Sequence, residues 1–341
     1  MVFNQFRRWL GIGGQETSKN TEASARFARS VRQSVGHDKF IDPAALLKLK
    51  SLELKARTVV DGFLRGLHHS SSHGFSAEFV EYRQYVEGDD PRYIDWRVCA
   101  RTDRYFVRKY EEETNLDCSL LLDLSASMKF AGSVEHSKLE YARALVATLA
   151  YYLHLQGESP GLTLFDQAVR CRIPCSRRSG QLHRMFIELE KAVPGKGTAL
   201  DQPFDLLVRT RRRRGLIVLF SDLLVEVDML ETKLSELMTL GHEVVIFRVL
   251  DRRELDFDYT ESDMIEDLET GQALVVDPDV ARAGYRERFG AQAAKLGRIC
   301  RSLGIQLHQV VTDEQMELAL FEFLKDRKRL RRIGLRRHTS R

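Results

Sequence analysis

Hydroxyl and carboxyl side chains cluster at the end of an apolar run, and their oxygens could hold a hard divalent cation. The run Leu120–Leu122 ends in Asp123, and Ser125 and Ser127 follow at spacings of two and four residues. Mg²⁺ and Mn²⁺ prefer oxygen ligands of this kind. The same short pattern is also typical of a helix N-cap, since Asp and Ser are favoured there. These few residues alone leave both interpretations open.

Two later features favour the cation interpretation. Thr198 lies in a glycine-flanked loop at 194–198, and Asp222 follows a second apolar run at 216–221. Because Asp123 and Asp222 each follow a predicted parallel strand, we expect them to meet at the edge of the sheet where ligands bind. The sequence therefore predicts one Mg²⁺ or Mn²⁺ site. Its five predicted residues are Asp123, Ser125, Ser127, Thr198 and Asp222.

Strands and helices alternate from residue 116 onward, and these elements must position the site. Near-continuous apolar strands are predicted at 116–122, 216–220 and 243–250, which is typical of a parallel sheet covered on both faces. Further predicted elements are helices at 137–155, 181–191, 203–210, 229–240, 279–303 and 314–325, hairpins at 161–173 and 256–277, and a last strand at 305–311. The order predicts an α/β fold with a doubly wound, mostly parallel sheet flanked by helices.

Composition and charge exclude several classes of protein. The 341 residues are 30% charged with a net charge of +4, so the chain is not a polycation. The basic run 325–341 carries no interleaved aromatic residues for base stacking, so no nucleic acid is expected as a partner. A solvated tail and a weak contact with an anionic surface both remain open for it.

No apolar run is long enough to span a membrane, and the first residues do not form a signal peptide. The five cysteines are then expected to be reduced thiols in the cytoplasm.

The order of the five predicted site residues resembles the metal-ion-dependent adhesion site of von Willebrand factor A-like domains. The resemblance implies that Ser125, Ser127 and Thr198 bind the ion directly, and that Asp123 and Asp222 act mostly through bound water. It also implies an open coordination position, which an acidic side chain of a partner fills. This is a mechanism of binding to a partner protein, and it does not require catalysis.

A second resemblance covers the segment before this site. Its motifs are Phe75–Phe79, Tyr82–Tyr85, Gly88–Arg92, Ile94–Trp96 and Ala100–Arg101. They are similar to the signature of the bacterial family called domain of unknown function 58. The resemblance implies a partnership with a MoxR-type AAA+ ATPase in a chaperone-like or assembly role.

Four segments are predicted along the chain. Residues 1–38 form a poorly ordered extension, and 39–115 form a signature segment that begins with a helical pattern at 42–67 and packs on the next domain. Residues 116–326 form the von Willebrand factor A-like domain, and 327–341 form a basic tail.

Two classes of function fit these residues. The first is a non-catalytic, metal-dependent protein-interaction module, an adaptor for the ATPase or its client. The alternative is a metal-dependent hydrolase that uses Asp123 and Asp222. Two-metal hydrolysis needs more carboxylates or histidines than this site supplies, so we expect a binding protein. The sequence also lacks a P-loop, so the chain itself is not expected to hydrolyse ATP.

Overall fold

A computed structural model describes much of the chain. The described residues are 43–49, 51–69, 81–86, 94, 96–102, 104–109, 116–195, 197–210, 214–257, 264–266, 273–275 and 278–338. The extension predicted at 1–38 lies outside them. The chain divides into two compact units, one formed by Met1–Arg65 with Leu116–Arg341 and the other by Gly66–Asn115.

Helices and strands alternate along much of the described chain. The helices are α1 (Pro43–Leu47), α2 (Leu52–His69), α3 (Trp96–Thr102), α4 (Lys138–Leu155), α5 (Gln181–Lys191), α6 (Asp201–Thr210), α7 (Val227–Thr239), α8 (Arg252–Asp256), α9 (Pro278–Leu303) and α10 (Met316–His338). The strands are β1 (Glu81–Gln84), β2 (Phe106–Lys109), β3 (Asp117–Asp123), β4 (Ser159–Phe165), β5 (Val169–Ile173), β6 (Gly215–Ser221), β7 (Glu243–Leu250), β8 (Met264–Glu266), β9 (Ala273–Val275) and β10 (Gln306–Val311).

The larger unit is built on a six-stranded sheet with the order β10-β7-β6-β3-β4-β5. Five strands are parallel, and β5 pairs antiparallel with β4, as the predicted hairpin at 161–173 requires. Almost every residue of β3, β4, β6 and β7 is buried, because helices cover both faces of the sheet. The predicted doubly wound α/β fold is confirmed.

The order of the strands creates a crevice beside β3. The chain passes from β3 to β4 on one side and returns to β6 on the other side, so the strand order reverses at β3. In open α/β sheets, ligands bind outside the carboxyl ends of strands at such a switch point. Asp123 ends β3 and Ser221 ends β6, so both lie at this crevice.

Helix α2 is held on the larger unit by its first part. The Leu52 amide donates to Glu190 Oε1 at 3.1 Å. The rings of Phe63 and Tyr152 meet edge to face with their centroids 6.4 Å apart. The single helical pattern predicted at 42–67 is wrong in one respect, because the structure has two helices with a break around Ser51. The Ser51 hydroxyl lies 3.5 Å from the Leu54 amide, where it begins α2.

Helix α10 is longer than predicted. The sequence predicts a closing helix at 314–325 and a basic tail at 327–341, whereas the helix continues to His338. Arg327 is buried within it and donates to Glu158 Oε1 at 3.2 Å. The same carboxylate accepts from the Leu116 amide at 2.7 Å, just before β3. The predicted boundary at residue 327 therefore falls inside an element that is tied to the start of the central strand.

The smaller unit contains an antiparallel pair, β1 and β2, with Glu81 opposite Lys109 and Gln84 opposite Phe106. Trp96 meets Tyr105 edge to face at 6.5 Å. The whole of the motif Gly88–Arg92 lies outside the described residues.

Two short elements follow β7. Helix α8 was not predicted, and β8 and β9 form the antiparallel hairpin expected within 256–277, as a separate two-stranded sheet. None of the helices in the described part of the chain combines the length and the apolar character that crossing a membrane requires.

Candidate metal-binding site

The carboxylate of Asp123 lies at the centre of the predicted site and is fully buried. Its Oδ1 accepts a hydrogen bond from the Ser125 amide at 2.8 Å, and its Oδ2 accepts one from the Ser221 hydroxyl at 2.6 Å. Leu122 pairs with Phe220 across the β3–β6 ladder, so the next residue of each strand, Asp123 and Ser221, is brought into contact. Both partners of the carboxylate are uncharged.

The two predicted serines form a buried hydroxyl pair. Ser125 Oγ and Ser127 Oγ lie 3.0 Å apart. Ser125 stands at the N-cap of a short 3₁₀ helix, Ala126–Lys129, but its side chain makes no capping hydrogen bond. Ser125 thus occupies the N-cap position that the alternative interpretation allows, but its hydroxyl is directed to Ser127 and does not cap the helix.

The carboxylate of Asp222 has a cation as its partner. Its Oδ2 accepts from Lys138 Nζ at 2.8 Å, and the same ammonium donates to Glu254 Oε1 at 2.6 Å. Arg248 Nε donates to the main-chain carbonyl of Asp222 at 3.2 Å, and its guanidinium lies 4.8 Å above the ring of Phe289. The two aspartates of the site thus have different surroundings.

Thr198 lies in a loop that is fastened at both ends to the carboxyl edge of the sheet. The Gly195 amide donates to the Leu124 carbonyl at 2.6 Å, and the Ala199 amide donates to the Asp166 carbonyl at 2.9 Å. Thr198 is half-buried. Among the described residues, its hydroxyl is not part of the hydrogen-bonded chain of Asp123 and the two serines. The structure therefore brings Thr198 to the same edge of the sheet without joining it to that chain.

A buried charge with neutral partners is costly, and the pKa of Asp123 reflects this. Burial, and after it the negative charge of Asp222, raises the pKa of the Asp123 carboxyl to about 7. The hydrogen bonds from Ser221 and Ser125 only partly oppose the rise. The Asp123 carboxyl therefore keeps its proton to a higher pH than an exposed aspartate does.

Lys138 carries its charge throughout the physiological range. Burial lowers the pKa of its ammonium, but the charges of Asp222 and Glu254 outweigh burial, so the pKa is raised. The pKa of the Glu254 carboxyl is raised by burial, although Lys138 opposes that shift. A permanent positive charge therefore lies beside Asp222.

The donor set fits a hard ion better than a soft one. The hydroxyls of Ser125 and Ser127 and the carboxylate of Asp123 are oxygen donors, and they converge in a buried place at the sheet edge. In the described part of the chain, no group of three or more His, Cys, Asp or Glu side chains is arranged to hold a metal ion. None of the five cysteines, all of which are described, forms a disulfide.

Sequence reasoning missed four polar residues around the site: Ser221, Lys138, Glu254 and Arg248. Ser221 had a signal, because it is a hydroxyl residue directly before the strand-end Asp222. No signal in the sequence pointed to Lys138, since a lysine that follows a helix cap is ordinarily solvated. Glu254 and Arg248 lie 32 and 26 residues beyond Asp222, and only the fold brings them close.

Comparisons with known proteins identify relatives of the chain. A family model described as "Protein of unknown function DUF58" matches residues 81–298. The uncharacterized protein Rv1480 of Mycobacterium tuberculosis is 30% identical over 295 residues, which cover 84% of this chain and 91% of that protein. The conserved hypothetical protein BatB of Bacteroides thetaiotaomicron is 18% identical with a TM-score of 0.44 over 62% of this chain and 98% of its own. The SpRpn10 VWA domain is 14% identical with a TM-score of 0.36 over 60% of this chain and 94% of its own.

Proposed function

Because the chain belongs to the family described as protein of unknown function DUF58, and its fold is a doubly wound sheet with polar residues at the switch point, we propose that it is a metal-dependent protein-interaction module. In this proposal it acts as an adaptor of a MoxR-type AAA+ ATPase or of the client of that ATPase. The observation that carries the proposal is the buried hydroxyl pair of Ser125 and Ser127 beside Asp123.

The site residues have separate tasks in this proposal. Ser125, Ser127 and Thr198 would hold Mg²⁺ or Mn²⁺ directly, and Asp123 and Asp222 would hold it through water. The bound ion would supply an electrophilic position that a carboxylate of the partner protein can occupy. Neutral hydroxyl ligands leave most of the charge of the ion available to that carboxylate, which favours a strong and geometrically specific contact.

The surroundings of Asp222 support binding over hydrolysis. Its Oδ2 is engaged by Lys138, which is itself fully buried. A second metal ion would require further carboxylates at this place, and the carboxylate of Glu254 is bound to the same lysine. The proposed module is therefore non-catalytic.

Titration calorimetry with Mg²⁺ and with Mn²⁺ tests the site. The native chain and the Asp205→Ala variant are expected to bind one ion, whereas Asp123→Ala is expected to lose binding. Asp205 is a suitable control because it is an aspartate on α6 whose carboxylate pairs with Lys233, which is not one of the five site residues. Equal affinity in all three proteins would overturn the site assignment.

Recovery of a MoxR-type ATPase on the immobilised chain tests the partner. Chelation alone is ambiguous, because the ATPase needs Mg²⁺ for its own nucleotide. The informative comparison is therefore Asp123→Ala against Asp205→Ala, both in Mg²⁺. Loss of the ATPase with the first variant and retention with the second would support the proposal; full retention with both would refute a contact through the metal site.

Binding through the basic end of α10 is the competing explanation. It predicts a steep salt dependence and loss of the partner when 328–341 are deleted. The deletion must spare Arg327, because this residue is bonded to Glu158 in the domain. We also propose that the protein acts in the cytoplasm, which is supported by the absence of a disulfide among its five described cysteines.

A further inference from the structure

Lys138 is a cation enclosed within the candidate site. Its side chain is completely buried. The ammonium lies 2.8 Å from Asp222 Oδ2 and 2.6 Å from Glu254 Oε1, and it stands 5.9 Å above the ring of Phe130. Lysine is almost never fully buried unless it is paired, so its two carboxylate partners account for its presence here.

The requirements of helix α4 do not explain this lysine. It is the first residue of the helix, directly after the N-cap Ser137. A positive charge in the first turn opposes the helix dipole, which favours acidic residues at that end. Ser137 and Glu140 already cap the helix through a reciprocal capping box. The lysine is therefore unfavourable for the helix, and its role lies in the charges that it meets.

The position of the ammonium matters for a divalent ion. Asp222 is one of the five residues of the proposed metal site, and one of its two carboxylate oxygens already binds Lys138. A resident positive charge in a buried place repels a second cation, and it neutralises a carboxylate that would otherwise attract one. Without an ion, the same contact prevents Asp222 from being left as an unpaired buried charge.

We propose that Lys138 is a counter-cation within the protein that determines the affinity of the strand-end site for a divalent ion. It also keeps Asp222 in place when no ion is bound. The inference rests on the proposed function, since it concerns the same site. It assigns Lys138 as a positioning and affinity-determining residue, whose ammonium is also bonded to Glu254. Native affinity for Mg²⁺ is then weak enough for the ion to exchange.

The test is titration calorimetry with Mg²⁺ alone on the native chain, on Lys138→Met and on Lys233→Met. Lys233 is a matched control, because its ammonium lies 2.7 Å from Asp205 Oδ1 in a similar pair that is partly exposed. Lys138→Met is expected to bind Mg²⁺ about tenfold more tightly or better, since a buried repulsion is removed. Its melting temperature is also expected to fall in EDTA and to recover in Mg²⁺. Lys233→Met should match the native affinity.

A folded Lys138→Met protein with native or weaker Mg²⁺ affinity would overturn the inference. Lys138→Gln provides a second variant, because the amide is neutral and can still donate to Asp222; it is expected to tighten binding as well. Folding of either variant only in saturating Mg²⁺ supports the inference, whereas failure of both to fold with or without the ion refutes it.

The outcomes for the two proposals are distinguishable. Native binding that Asp123→Ala abolishes, with no effect of Lys138→Met, leaves the proposed function intact and removes the role of Lys138. Binding by Lys138→Met alone shows the lysine acting as inferred and removes metal dependence from the native function. No binding by either protein overturns both.

Discussion

The ends of β3 and β6 present the same residue type in contrasting surroundings. Asp123, at the end of β3, is bonded to a hydroxyl and an amide. Asp222, directly after β6, is bonded to the ammonium of Lys138. The two strands are neighbours in the sheet, so both carboxylates share the same crevice and a similar depth of burial.

One crevice thus holds a buried carboxylate whose charge is paired with a cation and another whose charge is not. The pairing with Lys138 compensates the buried charge of Asp222. The neutral donors of Asp123 do not fully compensate its charge, and the pKa of its carboxyl rises to about 7 as a result of burial and of the nearby Asp222. Asp123 is therefore the carboxylate that gains most from an incoming cation.

The largest expected effect on stability comes from breaking the ion pair of Asp222 with Lys138. Asp222→Asn leaves Lys138 with Glu254 as its remaining partner, and breaking a buried ion pair commonly costs about 3–5 kcal/mol. Guanidinium unfolding at pH 8 in EDTA measures the change in the free energy of unfolding. A loss below about 1 kcal/mol would show that the Lys138–Asp222 contact is not a compensated pair.

Asp123, whose buried charge has no cationic partner, predicts an unusual dependence of stability on pH. The pKa of Asp123 is about 7 in the folded chain against an ordinary value of 3.8, so the folded state binds more protons between these values. The free energy of unfolding in EDTA is therefore expected to increase by about 2 kcal/mol as the pH falls from 8 to 5.

Asp123→Asn is the matched control for this titration. Part of the slope should vanish in the variant, and part should remain because the pKa of Glu254 is also raised by burial. Parallel pH profiles for the native and variant proteins would assign the slope to other groups.

The same variant, at a fixed pH of 8 in EDTA, sharpens the comparison between the two aspartates. Asp123→Asn removes a buried charge that lacks a cationic partner, so the free energy of unfolding is expected to rise by about 1 kcal/mol. This sign is opposite to that expected for Asp222→Asn. A clear loss of stability would mean that the hydrogen bonds to Ser125 and Ser221 outweigh the cost of the charge.

The smallest effect is expected outside the crevice. Lys233 forms a pair with Asp205 of nearly the same length as the Lys138–Asp222 pair, but its partner side chain is 41% exposed. Exposed pairs contribute less than about 1 kcal/mol, so Lys233→Met should change the free energy of unfolding by less than that amount. A loss comparable to that of Asp222→Asn would show that pair length alone, independent of burial, determines the cost.

The sequence predicted the elements that depend on local pattern. The apolar runs that become β3 and β6 are continuous because both faces of the sheet are covered, and this pattern can be read without a structure. The position of Asp123 and Asp222 at the same edge followed from the parallel connection. Helix α5, at 181–191, was predicted to the residue.

The interactions that depend on distant residues could not be read in this way. Lys138 is separated from Asp222 by 84 residues and from Glu254 by 116. Its burial results from the closure of the crevice, and no local pattern distinguishes it from a solvated lysine. The basic run after 325 was likewise interpreted as a solvated tail, whereas helix α10 continues to His338 and Arg327 bonds to Glu158.

Gly195 bears on how much motion the loop of Thr198 retains. A Cβ built on Gly195 would overlap the carboxylate of Asp166 and would lie 2.7 Å from its Cβ, so the loop is packed against this side chain with no room for a larger residue. Asp166 is in turn held by Arg170 and by the amide of Ala168. The backbone at Gly195 is therefore fixed during folding, three residues before Thr198. A ligand that meets Thr198 thus meets a residue whose chain is anchored on both sides, at Gly195 and at Ala199, so a smaller part of the ordering cost falls on association.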